Sequence, residues 1–158
     1  MLSRDIFLFQ PVLVQVKFAK YILGANKTAS NLTVLGELGM IPCSVYANKL
    51  SVGFWHHVVN SKGTSLIRKV YDTIINSYGW YSSKIKLLFD KIRFGHVWEN
   101  QNTFSKNRLT FSVNKKLKED YIKFWKDKLS LGGSEEKGNK LRTYSKLKEK
   151  YEIEIFSN

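Results

Sequence analysis

"SNLTVLGELGMIPCS", residues 30–44, is the stretch on which the fold turns. Gly36 and Gly39 surround Glu37, and Pro42 follows. Read as chemistry, this is a phosphate cradle or a lone catalytic base. A phosphate loop needs a longer glycine loop after a strand, with a lysine and a hydroxyl at fixed spacing, and none of these is present. A carboxylate site needs partners, yet Glu37 and Asp5 are the only acids in the first 71 residues. Read as structure, the stretch is punctuation between helices. Ser30 or Asn31 can cap a short helix by accepting a bond from a free backbone N–H. Leu32, Leu35 and Leu38 supply its apolar stripe. Gly39 ends it in the left-handed conformation that glycine tolerates, and Pro42 opens the next helix. Gly36 then serves close approach by another helix, and Glu37 a bond to nearby backbone or lysine.

Working outward, the spacing stays helical. Upstream, Pro11 suits a first helical position, and Val12, Val16, Ala19, Tyr21, Ile22 and Leu23 form a mixed apolar face up to Gly24. Downstream of Pro42, Val45, Val52, Trp55 and Val59 recur at helical steps, with Ile41 ahead of them. Ser65 caps a fourth helix carrying Leu66, Val70, Ile74 and Tyr78, stopped by Gly79. Ser82 caps a fifth with Ile85, Leu88, Phe89 and Ile92, stopped by Gly95. "HVWENQNTFSKN" reads as a loop or short turn. The longest element covers roughly residues 106–131, with Leu109, Val113, Leu117, Tyr121, Phe124 and Leu129 in register and Trp125 beside them. "GGSEEKGN" is a linker by composition. A last helix carries Leu141, Tyr144, Leu147 and Tyr151, and "EIEIF" alternates as a short C-terminal strand would. The expected fold is all-α: about six to seven short-to-medium helices in an irregular bundle.

Composition narrows the function classes. Lys and Arg number 26 against 13 Asp and Glu, a net charge of +13 that attracts polyanions whatever their sequence. Cys43 is the only cysteine, so no internal disulfide forms. His56, His57 and His96 have no zinc-type spacing, and each reads as a satisfied or exposed histidine. "IFLFQPVLVQV" is too short and interrupted to span a membrane, and no signal peptide is read. The expected location is intracellular, nucleus or cytoplasm, and neither cofactor nor metal is expected. No Asp-Asp pair or nucleophile elbow supports catalysis. A helix-turn-helix in "SNLTVLGELGMIPCSVYANKL", residues 30–50, with Gly39 in the turn, is disfavoured because the third helix reads as buried, with Lys49 its only Lys or Arg.

The remaining signal is cationic. Residues 104–158 hold fourteen Lys and Arg against eight acids. On the long helix Arg108, Lys115 and Lys126 share an outward face, with Lys116 and Lys123 on its flank. Such a face tracks phosphates without reading sequence, although a solvated face of ion pairs has the same pattern. Glu119, four residues from both Lys115 and Lys123, fits that second pattern. Lys17, Lys20, Lys27, Arg142 and Lys146 complete the candidate phosphate contacts.

"VQVKFAKYILGANKTASNLTVLGELGMIP", residues 14–42, resembles a segment just after the reverse transcriptase domain of animal non-LTR retrotransposon (LINE-type) polyproteins. Phe18, Lys20, Leu23, Gly24, Asn31, Val34, Gly36, Glu37, Leu38, Gly39 and Pro42 keep the places of that pattern. "KLRTYSKLKEKYEIE", Lys140 to Glu154, resembles the block that closes such proteins, and "YIKFWKDKL" also fits. Ala19 stands where the family has Cys, and Met40 where it has Arg or Lys. The resemblance implies an RNA-associated accessory region without the polymerase and endonuclease motifs, which this chain lacks. It implies RNA or DNA as a sequence-nonspecific partner, and a polymerase domain supplied elsewhere as another. The expected layout is an unmatched segment 1–13, a helical domain 14–131, a linker 132–139 and a C-terminal helix and tail 140–158. The competing expectation is a protein-interaction or structural module that once packed on the polymerase, marked by an exposed apolar patch near Val12–Leu23.

Overall fold

Helix is the only regular structure among the described residues, which in this computed structural model are 6–76, 80–101 and 104–130. Seven helices follow in order: α1 (Ile6–Ile22), α2 (Asn31–Glu37), α3 (Cys43–Val59), α4 (Leu66–Asn76), α5 (Trp80–Lys91), α6 (Gly95–Glu99) and α7 (Lys106–Ser130). This is the all-α class that the spacing predicts. The expected linker, last helix and C-terminal strand, with Tyr78 and Gly79, lie outside the described residues. The chain divides into two compact units: residues 1–45 with 118–158, and residues 46–117. α1 begins at Ile6, within the unmatched segment 1–13, and continues past it to Ile22.

In the first unit, α1 packs on α2. Val16, Ala19, Val34 and Leu35 are buried together, ringed by Val12, Ala25, Ala29, Leu38 and Met40. Pro11 lies inside α1, not at its first position. The helix runs upstream through the apolar residues before it, and Pro11, lacking an N–H, leaves the carbonyl of Phe7 without its helical donor. Tyr21, Ile22 and Leu23, expected on the apolar face, are exposed. One turn cannot bring three consecutive positions to the side that Ala19 takes, and Ala19 and Lys20 lie on the inner arc.

Both glycine stops of this unit close helices in the same way. Gly24 and Gly39 have φ of 58° and 57°. Behind Gly39, Met40 N donates to Leu35 O (2.9 Å) and Gly39 N to Gly36 O (3.1 Å). Behind Gly24, Ala25 N donates to Lys20 O (2.9 Å) and Gly24 N to Tyr21 O (3.1 Å). This paired pattern satisfies carbonyls that a helix end leaves open. Ser30 takes the capping position of α2 with extended backbone, but its side chain makes no cap bond. The position was legible; the hydroxyl bond is not formed.

Trp125, expected beside the stripe of α7, is fully buried in this unit. Its indole lies over Gly36, where an added Cβ would meet ring atoms at 2.7–2.9 Å, and its Nε1 donates to Leu32 O (3.1 Å). The ring therefore occupies the space a side chain at position 36 would need. Gln15 spans the break before α3. Its Nε2 donates to Ile41 O (2.9 Å) and its Oε1 accepts from Cys43 N (2.8 Å), one on each side of Pro42.

In the second unit the interior centres on Trp55, also fully buried. It stacks on Trp98 (5.8 Å, 19°), meets Phe89 edge-on (5.0 Å, 71°) and donates Nε1 to Tyr71 Oη (3.0 Å). Val52, Trp55 and Val59 are all buried here, and Val45 is buried in the first unit, as the spacing predicts. The end of α3 is fully satisfied. His56 O accepts from Asn60, His57 O from Ser61 Oγ, Val58 O from Ser61 N, and Val59 O from Arg68 Nη1. Arg68 also pairs with Asp72 (3.0 Å).

Three expectations in this unit are corrected. Leu66, Val70 and Ile74 are exposed on α4; the inner arc is Arg68, Tyr71 and Ile75, about half a turn away. Tyr71 wins because its ring is apolar and its hydroxyl finds the Trp55 indole. Ser82 does not cap α5, which starts two residues earlier at Trp80, and Ser82 is buried inside it. Gly95 does not stop α5 either. Arg93 does, at φ 64°, with Phe94 N to Phe89 O (2.7 Å) and Arg93 N to Asp90 O (3.1 Å). Gly95 instead opens α6, in the segment expected as loop or turn. Ser65 does cap α4, accepting from Arg68 N at 3.3 Å.

Candidate nucleic-acid interface

The positive charge is unevenly divided between the units. Residues 46–117 carry twelve Lys and Arg against three Asp and Glu, a surplus of nine. The other unit carries fourteen against ten, a surplus of four. Of the three acids in the second unit, Asp72 is paired with Arg68. At this charge ratio lysines cannot all find carboxylates, so the unit presents a positive field to solvent.

The expected phosphate contacts fall in both units. In the first, Lys17 and Lys27 are exposed, while Lys20 donates Nζ to the Lys27 carbonyl (2.9 Å) and so bridges the loop after α1. Lys123 and Lys126 are exposed on the α7 residues of this unit. In the second unit Arg108 and Lys115, seven residues apart, are exposed on one face of α7, and Lys116 is half-buried. Arg142 and Lys146 lie outside the described residues. Among the resemblance residues, Gly24 and Gly39 are helix stops, Gly36 lies under Trp125, Asn31 begins α2 and Pro42 immediately precedes α3. The side chain of His56 is satisfied. Its Nε2 lies 2.6 Å from Phe104 O, and since a carbonyl only accepts, Nε2 carries the proton. His57 and His96 are exposed.

The second unit also holds a cleft that the hydrophobic spacing did not reveal. Lys49, Leu50, Gly53, Phe54 and His57 of α3 face Lys106 and Thr110 of α7 around about 470 Å³. These α3 positions recur at steps of four, opposite the Val45–Val59 stripe. The helix that reads as buried is exposed along this face at Leu50, Phe54 and His57. Leu50 is 71% exposed and Phe54 52%. Gly53 forms the floor, where an added Cβ would sit 3.4 Å from Thr110 Cγ2 and 3.9 Å from Lys106 Cε. Thr110 turns its hydroxyl back to Lys106 O (2.8 Å), which leaves the methyl for Gly53. Phe54 is braced edge-on by Tyr81 (5.9 Å, 72°), whose hydroxyl donates to Ser51 O (2.7 Å). Burial pushes the Tyr81 phenol up to about 12, with neighbouring Tyr71 adding to it. No carboxylate lines the cleft.

Among the described residues no three His, Cys, Asp or Glu side chains gather where a metal could sit, and no helix is long and apolar enough to cross a membrane. Comparison with protein families, curated proteins and solved structures finds no match.

Proposed function

We propose that the chain is a non-catalytic helical module that binds RNA or DNA through Lys and Arg contacts to phosphate, without reading base sequence. The observation that carries this reading is the surplus of nine positive charges in residues 46–117. Neutralising phosphates releases condensed counterions, so affinity falls with salt in proportion to the phosphates contacted. The resemblance of residues 14–42 and 140–154 to the post-polymerase region of LINE-type retroelement proteins supports the same reading. It further suggests an origin as a detached accessory part of a reverse transcriptase. The test is a salt-titrated binding measurement on the full chain with single-stranded RNA, duplex DNA and an RNA–DNA hybrid. A slope of about −3 or steeper in log affinity against log salt, on more than one of these, supports it. A flat response overturns it.

A second reading has its own observation. Val14, Phe18, Tyr21 and Ile22 are exposed on one face of α1, with Tyr21 at 85%. A clustered apolar face marks a protein contact. The retroelement resemblance makes a polymerase domain the partner class. Salt-insensitive capture of such a domain, lost when Phe18 and Tyr21 become serine, would support this reading in place of the first.

A further inference from the structure

We propose that the cleft between α3 and the first turns of α7 receives one unstacked base of a single-stranded nucleic acid, held against Phe54, with the flanking phosphates on Lys49 and Lys106. The inference rests on the nucleic-acid reading and gives it a site.

Three observations meet there. First, an aromatic ring is held open. Phe54 is half exposed although Tyr81 braces one of its sides, and Tyr81 is itself anchored to Ser51 O. A braced ring stacks on a base without losing further rotamer freedom, and every base has a π-face, so the contact needs no sequence. Second, the charges at the rim are of one sign. Lys49 and Lys106 line the cleft with no carboxylate among its lining residues and no ion pair to either ammonium among the described residues. Lys106 is the first residue of α7, where unbonded N–H groups add partial positive charge. Third, Gly53 lets α3 and α7 approach, with Thr110 Cγ2 3.4 Å from where its Cβ would be, so the floor of the cleft is closed by small groups and carries no bulky side chain to displace. The volume falls in the small-ligand range of roughly 300–1,000 Å³. Leu50 supplies an apolar edge and His57 a polar one. An apolar protein segment would meet two ammonium groups here; a base between two phosphates matches both the ring and the charges.

The experiment uses the full chain and two strands of equal length, a uridine or thymidine oligonucleotide and an abasic strand with the same number of phosphates. The wild type is expected to prefer the base-bearing strand by roughly 5- to 100-fold. Phe54→Ala removes that preference and leaves affinity for the abasic strand within about 2-fold, whereas Phe54→Trp retains it. Lys49→Gln with Lys106→Gln lowers affinity for both strands and flattens the salt slope by about 1.4, two phosphates at about 0.7 each. Far-ultraviolet circular dichroism of each variant should match the wild type, since Phe54 and Lys106 are exposed and Lys49 is only half-buried; for Phe54, Phe54→Leu is the alternative should Phe54→Ala lose helix. Salt-dependent binding with no base preference, or a preference indifferent to Phe54, overturns the cleft and leaves the phosphate reading standing. No binding to either strand overturns both.

Discussion

Trp125 in the first unit and Trp55 in the second are both fully buried and both donate Nε1, but to different kinds of acceptor. Trp125 lies on backbone, its ring over Gly36 and its N–H on the Leu32 carbonyl. Trp55 lies among side chains, with Trp98, Phe89 and the Tyr71 hydroxyl around it. The first unit thus excludes a side chain at one position to admit a ring. The second fills its interior with rings and tolerates more change at its glycine. The surfaces differ as well: an apolar face on α1 in the first, a strong cationic surplus and a cleft in the second. The core of each unit and its outer chemistry are separate, so each is open to its own test.

The largest expected effect is removal of either ring. Trp125→Ala and Trp55→Ala should each cost about 3–5 kcal/mol in denaturant unfolding, since each leaves a large cavity and an orphaned partner. Equal losses in Trp125→Phe and Trp55→Phe would break the contrast. Phe keeps much of the packing, and only Trp55→Phe leaves a buried side-chain hydroxyl without its donor.

The glycines sharpen it. Gly36→Ala should destabilise by about 1–3 kcal/mol, because the methyl would meet the indole at contacts under 3 Å and Trp125 is anchored. Gly53→Ala should stabilise by about 0.5–1 kcal/mol, since its methyl meets Thr110 at ordinary contact and alanine lowers the entropy of the unfolded chain. Opposite signs in urea midpoints are the expected result.

Arg93→Gly should stabilise by about 1 kcal/mol, because a left-handed φ of 64° costs a residue with a Cβ and not a glycine. The same change at an ordinary surface position would not. The smallest effect is a pH dependence. The Tyr81 phenol is raised from 10 to about 12, so its neutral form is favoured in the folded state. Its contribution is full below pH 10 and is lost as pH rises from 10 to about 12. Tyr81→Phe should shallow that alkaline decline and remove one late-titrating phenol from the absorbance titration.

Much of the architecture was legible because helical periodicity and glycine stops are local signals. The Val45–Val59 stripe, α7, Gly24, Gly39 and Ser65 belong to this class. What failed depended on partners distant in sequence. The inner face of α4 was misplaced because Leu66, Val70 and Ile74 outrank Tyr71 in apolarity, and only the Trp55 indole makes Tyr71 the better buried residue. Arg93 outcompeted Gly95 as a stop because the end of a helix is set by where its packed face ends, at Ile92, before the nearest glycine is reached. Lysine-rich segments were legible as charge, but not as a surface. The cleft was invisible because it needs Gly53 of α3 opposite Thr110 of α7, a pairing that no spacing along one helix contains.

Gln15 has a consequence for how α1 can dock. Its side-chain amide stands in for a peptide group, accepting from Cys43 N and donating to Ile41 O on either side of a proline that can donate nothing. Valine and alanine against leucine define a contact that is nearly as good after a small slide. Two opposed hydrogen bonds from one rigid amide do not survive a slide, and both are lost together. The amide therefore acts as a register pin, turning a slippery apolar contact into one with a single seat. Gln15→Glu would keep the bond from Cys43 and set an oxygen against the Ile41 carbonyl, half a key in the same lock.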